Sequence, residues 1–185
     1  MTTPVPRHNG LGSCLDFRLL MVEKAHEDWL DPGAPDDYAR EIGWRTGHGD
    51  DWCGIWLGAV GIRAGLDKQI ALRVMPSTYR LNTNRPSEPG WSQVRKSPPE
   101  PVRPADVRAG DIVTLETSRG LAYGDHIEIV YAVLGDKIYT YGANTRAGIT
   151  SDLEKPVRRS VCRCVRDIKS VRRVYRLGNR HREAC

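Results

Sequence analysis

Hydrophobic residues follow two different periods along this chain. In the first third they recur at helical spacing over residues 14–30 and, in a shorter stretch, over residues 34–44. The sequence Asp-Pro-Gly at 31–33 separates these two predicted helices, because proline and glycine interrupt a helical pattern. The polar, glycine-containing stretch at 45–50 predicts a loop.

A third helix is predicted to begin at Asp50 or Asp51 and to run to Ala64, with Gly65 as its stop. Its apolar residues fall at positions i, i+3, i+4, i+7 and i+8, which is the stripe of a helix packed on a core. These residues are Trp52, Ile55, Trp56, Ala59 and Val60. Glycines within the stretch weaken a helix locally, so we expect another backbone to approach it closely.

The last third of the chain changes to the alternating pattern of strands. Short segments rich in β-branched residues predict strands at DIVTLE, DHIEIVYAVL, KIYTYGA, SVCRCVR and SVRRVYRL. Gly135 and Asp136 predict a hairpin turn between the second and third of these segments. Helices followed by an antiparallel sheet are typical of an α+β fold.

The chain has 185 residues, which suit a single domain over residues 14–178. Residues 1–13 predict a flexible N-terminal arm, and residues 179–185 predict a basic tail. The stretch 76–106 is rich in Pro, Ser, Asn and Arg, so we expect a long loop inserted in the domain. Long loops in compact domains often line a binding groove.

Composition is that of a soluble globular protein, with 39% hydrophobic and 28% charged residues. No apolar run approaches the roughly 18 residues that a membrane span needs. The N-terminal MTTPVPRHNGLGSC lacks the apolar segment of a secretory signal. We therefore expect a monomer made in the cytoplasm, which acts elsewhere only after release.

The net charge of +5 is concentrated in the arginine-rich C-terminal end. Such a surface favours polyanions, including nucleic acid, anionic lipid and an acidic cell wall. A solvated arginine-rich sheet face explains the same composition equally well. Nucleic acid is the least favoured of these partners, because the chain has no recognisable nucleic-acid-reading motif.

The five cysteines are an odd number, which favours reduced thiols over a disulfide framework. A metal-ligand set can be written from Cys162, Cys164, His181 and Cys185. However, C-x-C is not the usual zinc spacing, and the last two residues lie in the predicted tail. The sequence also lacks a phosphate-binding loop and a metalloprotease motif, so we expect neither a metal nor a cofactor.

Cys53 falls in the first turn of the third predicted helix. Unpaired backbone N–H groups and the helix dipole favour negative charge there. A cysteine at such a position beside a histidine has a thiol pKa of about 3.5–7.5 instead of about 8.5. The same N–H groups can donate to the oxyanion of acyl transfer. Taken alone, a cysteine between two tryptophans is more often a small buried core residue.

His126 opens a predicted strand, and a strand places a histidine rigidly enough for general-base catalysis. His48, in the loop before Cys53, is a competing base. Asn144 follows the next strand, and pairing of the hairpin brings it close to His126, where it can orient the imidazole. Glu128 is the alternative orienting residue, on the same face of the strand about 6.6 Å along it.

The segments DDWCGIWLGAVGIRAG, VRAGDIVTL and GDHIEIVYAVLGDKIYTYGAN, in this order, resemble the CHAP and NlpC-type papain-like amidohydrolases. The resemblance covers about residues 15–177. It implies a papain-like fold, with N-terminal helices packed on a C-terminal antiparallel sheet. It also implies that Cys53 is the nucleophile, His126 the general base and Asn144 the orienting residue.

The family resemblance further implies an amide hydrolase that cleaves peptidoglycan through an acyl-enzyme, with the cell wall as its partner. The expected context is a phage endolysin, a virion-associated lysin or an exported effector. Around the nucleophile and the histidine we expect Asp51, Trp52, Trp56 and Glu128 to bind substrate. The alternative is a non-catalytic binding or virion structural module on the same scaffold.

Overall fold

A computed structural model describes the chain over most of its predicted elements. The described residues are 17–43, 52–71, 91–96, 101–115, 126–144 and 161–177. The predicted arm at 1–13 and the predicted tail at 179–185 lie outside them.

The helices come first in the chain. They are α1 (Phe17–Leu30), α2 (Pro35–Ile42), α3 (Trp52–Arg63) and the single turn α4 (Lys68–Ala71). The predicted stop after α3 is confirmed, because Gly65 has a φ of 89°, the left-handed conformation that glycine adopts at helix ends. Within the described ranges, none of these helices is long and apolar enough to cross a membrane.

The strands form one antiparallel sheet in the described part of the chain. They are β1 (Trp91–Lys96), β2 (Ile112–Leu115), β3 (His126–Leu134), β4 (Lys137–Ala143), β5 (Val161–Asp167) and β6 (Val171–Leu177). Their spatial order is β1-β6-β2-β3-β4-β5, and every neighbouring pair is antiparallel. The α+β prediction and the predicted hairpin are confirmed, since Leu134 pairs with Lys137 across the turn.

The prediction of a long loop over 76–106 is wrong in two short parts. Pro104–Asp106 form a single turn of 3-10 helix. Residues 91–96 form β1, which pairs with β6 at the edge of the sheet. Residues 72–90 and 97–100 lie outside the described residues. Pairing with a neighbouring strand overrode the proline and serine signals on both sides of this segment, because strand formation depends on context more than on local propensity.

Each face of the sheet carries its own apolar core. The helices pack on one face, against alternate strand residues such as Ile127 and Ile129. On the opposite face Val113 and Val130 belong to a second buried cluster. Because side chains alternate along a strand, Glu128 shares this second face with Val130.

The helix α3 lies at the centre of the helical layer, and every residue from Trp52 to Gly61 is buried. The close approach expected near its glycines is found at Gly61. A Cβ on this residue would lie 3.2 Å from the Cβ of Ala71 in α4. The glycine therefore allows α4 to pack directly against α3.

Candidate active site

Cys53 is the second residue of α3 and is 3% exposed. It therefore lies in the first turn of the helix, as predicted. The N–H groups of this turn have no intrahelical partner and, together with the helix dipole, favour negative charge nearby. The preceding residues 44–51, which include Asp51 and the competing base His48, lie outside the described residues.

His126 is the first residue of β3, and interaction with Cys53 is among the causes that raise the pKa of its imidazole. The fold thus brings together the predicted nucleophile and the predicted base, which are 73 positions apart in the chain. His126 is 7% exposed, so the pair is largely shielded from bulk water. A thiol bonded to an imidazole can transfer its proton and become a thiolate beside an imidazolium.

Glu128 contacts the imidazole from another side. Its Oε1 lies 3.1 Å from Nε2 of His126. The two residues are two positions apart on β3 and share one face of the strand. Glu128, the alternative orienting residue at the level of the sequence, is therefore in direct contact with the imidazole.

Asn144 directly follows β4 and has a left-handed backbone, with a φ of 56°. Asparagine tolerates this conformation better than most residues do. The register of β3 and β4 pairs Ile129 with Tyr141, and its continuation places Asn144 level with His126. An orienting role for Asn144 stays a prediction, whereas the contact of Glu128 with the imidazole has a defined geometry.

Two further side chains hold the Glu128 carboxylate. Thr140 donates its hydroxyl to Oε2 at 2.5 Å. Arg166 donates from Nη2 to Oε1 at 2.5 Å, and its Nε lies 3.1 Å from both carboxylate oxygens. Glu128 is 0% exposed, and this burial does not fit the substrate-binding role predicted for it.

The pKa values of His126, Glu128 and Arg166 are all strongly shifted from their ordinary values. Burial alone would lower the pKa of His126, but hydrogen bonds and charge interactions with Cys53 and Glu128 raise it to about 10. Burial favours the neutral form of Glu128, yet Arg166 and His126 hold the pKa of its carboxyl well below its usual range. Burial also opposes the charge on Arg166, but Glu128 raises the pKa of the guanidinium. The carboxylate and the guanidinium are therefore both charged at neutral pH.

A buried carboxylate on α1 holds α3, the helix that carries Cys53. Asp28 accepts hydrogen bonds from Trp56 Nε1 at 2.7 Å and from Arg63 Nη1 at 2.6 Å. Trp56 is 0% exposed, so it belongs to the core, and this does not fit its predicted role in substrate binding. The hydrogen bond to Asp28 accounts for a tryptophan at this buried position, because buried indole N–H groups need an acceptor.

Trp52, directly before Cys53, is also buried and stacks on Tyr38 of α2 with ring centroids 6.2 Å apart and planes at 9°. The Tyr38 hydroxyl accepts a hydrogen bond from the N–H of Gly33 at 2.9 Å. These contacts fasten the start of α3 to α2. Substrate binding by Trp52 stays a prediction, and Asp51 lies outside the described residues.

His26 belongs to a separate aromatic cluster between α1 and the sheet. Its Nδ1 lies 2.8 Å from the hydroxyl of Tyr141, and its ring centroid lies 5.5 Å from that of Trp29. The guanidinium of Arg163 lies 4.8 Å from the centroid of the Trp29 ring. His26 is half-buried in this cluster.

The C-x-C pair lies on β5, where Cys162 is the partner of Gly142 and Cys164 is the partner of Thr140. Both are reduced cysteines, as is Cys53. Burial is the main reason that the pKa of Cys164 lies far above its ordinary value. Among the residues that the structure describes, no three His, Cys, Asp or Glu side chains form a group that could hold a metal ion.

Sequence reasoning missed Thr140, Arg166 and Asp28. The sequence did contain a signal for Thr140 and Arg166. Both lie in predicted strands, where the alternation of side chains indicates which residues share a face of the sheet.

Comparison of the chain with protein-family models, with curated proteins and with solved structures finds no match. The side chains around Cys53 and the order of the sequence motifs are therefore the features of the chain that bear on its function.

Proposed function

We propose that this protein is a papain-like cysteine amidohydrolase that cleaves amide bonds in bacterial peptidoglycan. The observation that carries the proposal is the interaction of Cys53, at the start of α3, with His126, at the start of β3, which helps to raise the pKa of the imidazole. A thiol in the first turn of a helix and beside a histidine is the usual environment of a nucleophilic cysteine. The order of helices before an antiparallel sheet agrees with the papain-like fold that the sequence motifs imply.

Acylation begins with attack of the Cys53 thiolate on the carbonyl carbon of the amide. As the C–S bond forms, the carbonyl electrons move to oxygen, and N–H groups of the first turn of α3 donate hydrogen bonds to this oxyanion. His126 carries the proton taken from the thiol. It donates this proton to the leaving amine as the C–N bond breaks, which leaves a thioester on Cys53.

Deacylation uses the same groups with water as the nucleophile. His126 accepts a proton from the water as its oxygen attacks the thioester carbonyl. The tetrahedral intermediate then collapses, the C–S bond breaks, and Cys53 leaves as a thiolate beside the imidazolium. Glu128 accepts the Nε2–H hydrogen bond of His126 at 3.1 Å, which maintains the ring orientation that both steps need.

Peptidoglycan is the substrate that the motif resemblance suggests, and the charge of the chain supports it. The net charge is +5, and a positive protein accumulates at the surface of an anionic cell wall. A phage lysin, a virion-associated lysin or an exported effector meets this substrate from different sides of the membrane. All three contexts use the same amide chemistry.

The direct test is clearing of purified bacterial cell walls by the wild-type protein and by Cys53→Ala and His126→Gln variants. We expect the two variants to lose at least about 100-fold in rate, because each lacks a group that acts in covalent or acid–base catalysis. Cys162→Ser serves as the matched control, because it removes a free thiol from β5 and should leave clearing unchanged. Equal clearing by the wild type and Cys53→Ala would contradict the proposal.

A non-catalytic binding module is the second candidate, because Cys53 and His126 are only 3% and 7% exposed. Alkylation by iodoacetamide separates the two functions. An activated Cys53 reacts well below pH 8.5, the ordinary pKa of a cysteine thiol being about 8.5. Retention on cell walls by a protein whose Cys53 reacts only as an ordinary thiol would favour the binding module.

A further inference from the structure

The ion pair between Glu128 and Arg166 is buried beneath the candidate catalytic pair. Glu128 is 0% exposed and Arg166 is 8% exposed. The guanidinium reaches both carboxylate oxygens, through Nε and Nη2, and the shortest of these contacts is 2.5 Å. A forked contact of this kind restricts the carboxylate more strongly than a single hydrogen bond does.

A single carboxylate oxygen connects Arg166 with the imidazole. Glu128 Oε1 accepts from Arg166 Nη2 at 2.5 Å and lies 3.1 Å from His126 Nε2. The hydroxyl of Thr140 donates a hydrogen bond to the other carboxylate oxygen, Oε2. The position of the carboxylate beneath the imidazole is thus determined by groups on β4 and β5, which are separate from the strand that carries His126.

The charges around the site balance. With Glu128 negative and Arg166 positive, Cys53 and His126 are neutral as a pair, both as thiol with imidazole and as thiolate with imidazolium. Among the residues that the structure describes, Cys164 and Cys162 on β5 also interact electrostatically with Arg166. Removal of either ionic partner therefore leaves an uncompensated buried charge next to His126.

We propose that Arg166 is a positioning residue of the candidate active site, which holds the Glu128 carboxylate against His126 and limits, by its charge, how strongly that carboxylate stabilises the imidazolium. This inference rests on the proposed function, since it assumes that Cys53 and His126 form a reactive pair. Arg166 acts through Glu128 and has no role in contacting the substrate.

The test is a double-mutant cycle with substitutions at Glu128 and Arg166. The quantity measured in each variant is the pH at which alkylation of Cys53 is half-maximal. Glu128→Gln removes the carboxylate charge and keeps the positive charge of Arg166 near the imidazolium, which disfavours the thiolate–imidazolium form. The pH of half-maximal alkylation should rise by about one to three pH units, the usual effect of a nearby charge. In the double variant Glu128→Gln/Arg166→Met both charges are absent, so this midpoint should return part of the way toward the wild-type value.

The measurement is the rate of iodoacetamide modification of the Cys53-containing peptide, followed by mass spectrometry from pH 4 to pH 10. This readout distinguishes Cys53 from the other cysteines and does not require a cell-wall substrate. Circular dichroism establishes that each variant is folded. If Glu128→Gln does not fold, Arg166→Met and Arg166→Lys make the same comparison. The methionine variant leaves Glu128 unopposed and should lower the midpoint, whereas the lysine variant retains the charge and should not.

The ion pair of Asp111 and Arg176 provides a matched control in the same sheet. Asp111 is also 0% exposed and accepts from Arg176 Nε at 2.8 Å and from Nη2 at 2.6 Å. The variants Asp111→Asn and Asp111→Asn/Arg176→Met should lose stability but retain the wild-type alkylation midpoint. An equal change of midpoint in this control pair would show a general effect of destabilisation and would overturn the proposal.

The outcomes separate this inference from the proposed function. Equal midpoints in Glu128→Gln and the double variant would overturn the role of Arg166 even if wild-type protein clears cell walls. Recovery of the midpoint in the double variant would support the role of Arg166 even if the walls are not cleared, and in that case peptidoglycan hydrolysis fails alone. A wild-type Cys53 that reacts as an ordinary thiol would overturn both.

Discussion

The side chain of Glu128 occupies the space that a Cβ on Gly142 would need. A Cβ on Gly142 would lie 2.7 Å from Glu128 Cγ and 2.8 Å from Glu128 Oε1. Gly142 lies on β4, between the strand of Glu128 and the strand of Arg166. The missing side chain at this position therefore gives the carboxylate room to lie across β4 toward its ionic partner.

Gly142→Ala should displace the Glu128 carboxylate from His126. Because the new methyl group overlaps a buried side chain, we expect a loss of about 1–3 kcal/mol in the free energy of unfolding. We also expect slower alkylation of Cys53 at neutral pH. Urea unfolding and the iodoacetamide assay measure the two effects on the same preparation.

Gly135→Ala is the control for the substitution at Gly142. Gly135 has a φ of 58° and no atom within 4 Å of a Cβ placed on it. The alanine should cost about 1–2 kcal/mol through its left-handed backbone alone, with no effect on Cys53. A Gly142→Ala variant that retains wild-type alkylation would show that the carboxylate can move without consequence for the thiol.

Thr140→Val removes one hydrogen bond from the Glu128 carboxylate and keeps the shape of the side chain. Hydrogen bonds to charged groups contribute about 1.5–3 kcal/mol, so we expect a loss of that size in the free energy of unfolding. Thr114 is an apt comparison, because its buried Oγ1 has no hydrogen-bond partner among the described residues. Thr114→Val should therefore be neutral or stabilising, and a loss as large as that of Thr140→Val would contradict this account.

His126 should make the stability of the protein depend on pH in a defined direction. The pKa of His126 is raised to about 10 in the folded protein, whereas an unperturbed histidine has a pKa of about 6.5. A histidine whose pKa is higher in the folded than in the unfolded protein contributes its full stabilisation at pH values below the unfolded-state pKa. This stabilisation is lost as the pH rises through the folded-state pKa. The stability difference between wild type and His126→Gln should therefore decrease between about pH 6.5 and about pH 10.

Urea unfolding of both proteins at several pH values measures this difference. Subtracting the free energy of unfolding of His126→Gln from that of the wild type cancels the contributions of the titratable groups that both proteins share. A difference that stays constant over the whole window would mean that the imidazole is not held as an imidazolium by Cys53 and Glu128.

Trp56→Phe should reduce stability without a change in the reactivity of Cys53. The substitution removes the 2.7 Å hydrogen bond to the buried carboxylate of Asp28, which should cost about 1.5–3 kcal/mol. Trp29→Phe is the comparison, since Trp29 is half-buried and stacks near His26, and it should cost less. A change in the pH of half-maximal alkylation in Trp56→Phe, measured with iodoacetamide, would instead connect the core hydrogen bond to the active site.

The period of hydrophobic residues was enough to predict the helices α1, α2 and α3 and every strand except β1. These elements have strong local patterns, and the hairpin between β3 and β4 has a glycine where the backbone needs a φ of 58°. The strand β1 was not predicted, because an edge strand pairs with only one neighbour and its own pattern was weaker than the turn signals around it.

The sequence by itself indicated the positions of Cys53 and His126, the two groups of the proposed catalytic pair, since the first turn of a helix and the first residue of a strand are both visible in local patterns. Only the tertiary structure decided which side chain contacts the imidazole and what holds that side chain. Arg166 is 38 residues from Glu128 and lies on a strand separated from β3 by β4. Alternation along a strand indicates the face on which a residue lies, but it does not indicate which strands become neighbours. The buried ion pair beneath His126 therefore follows from the order of the strands.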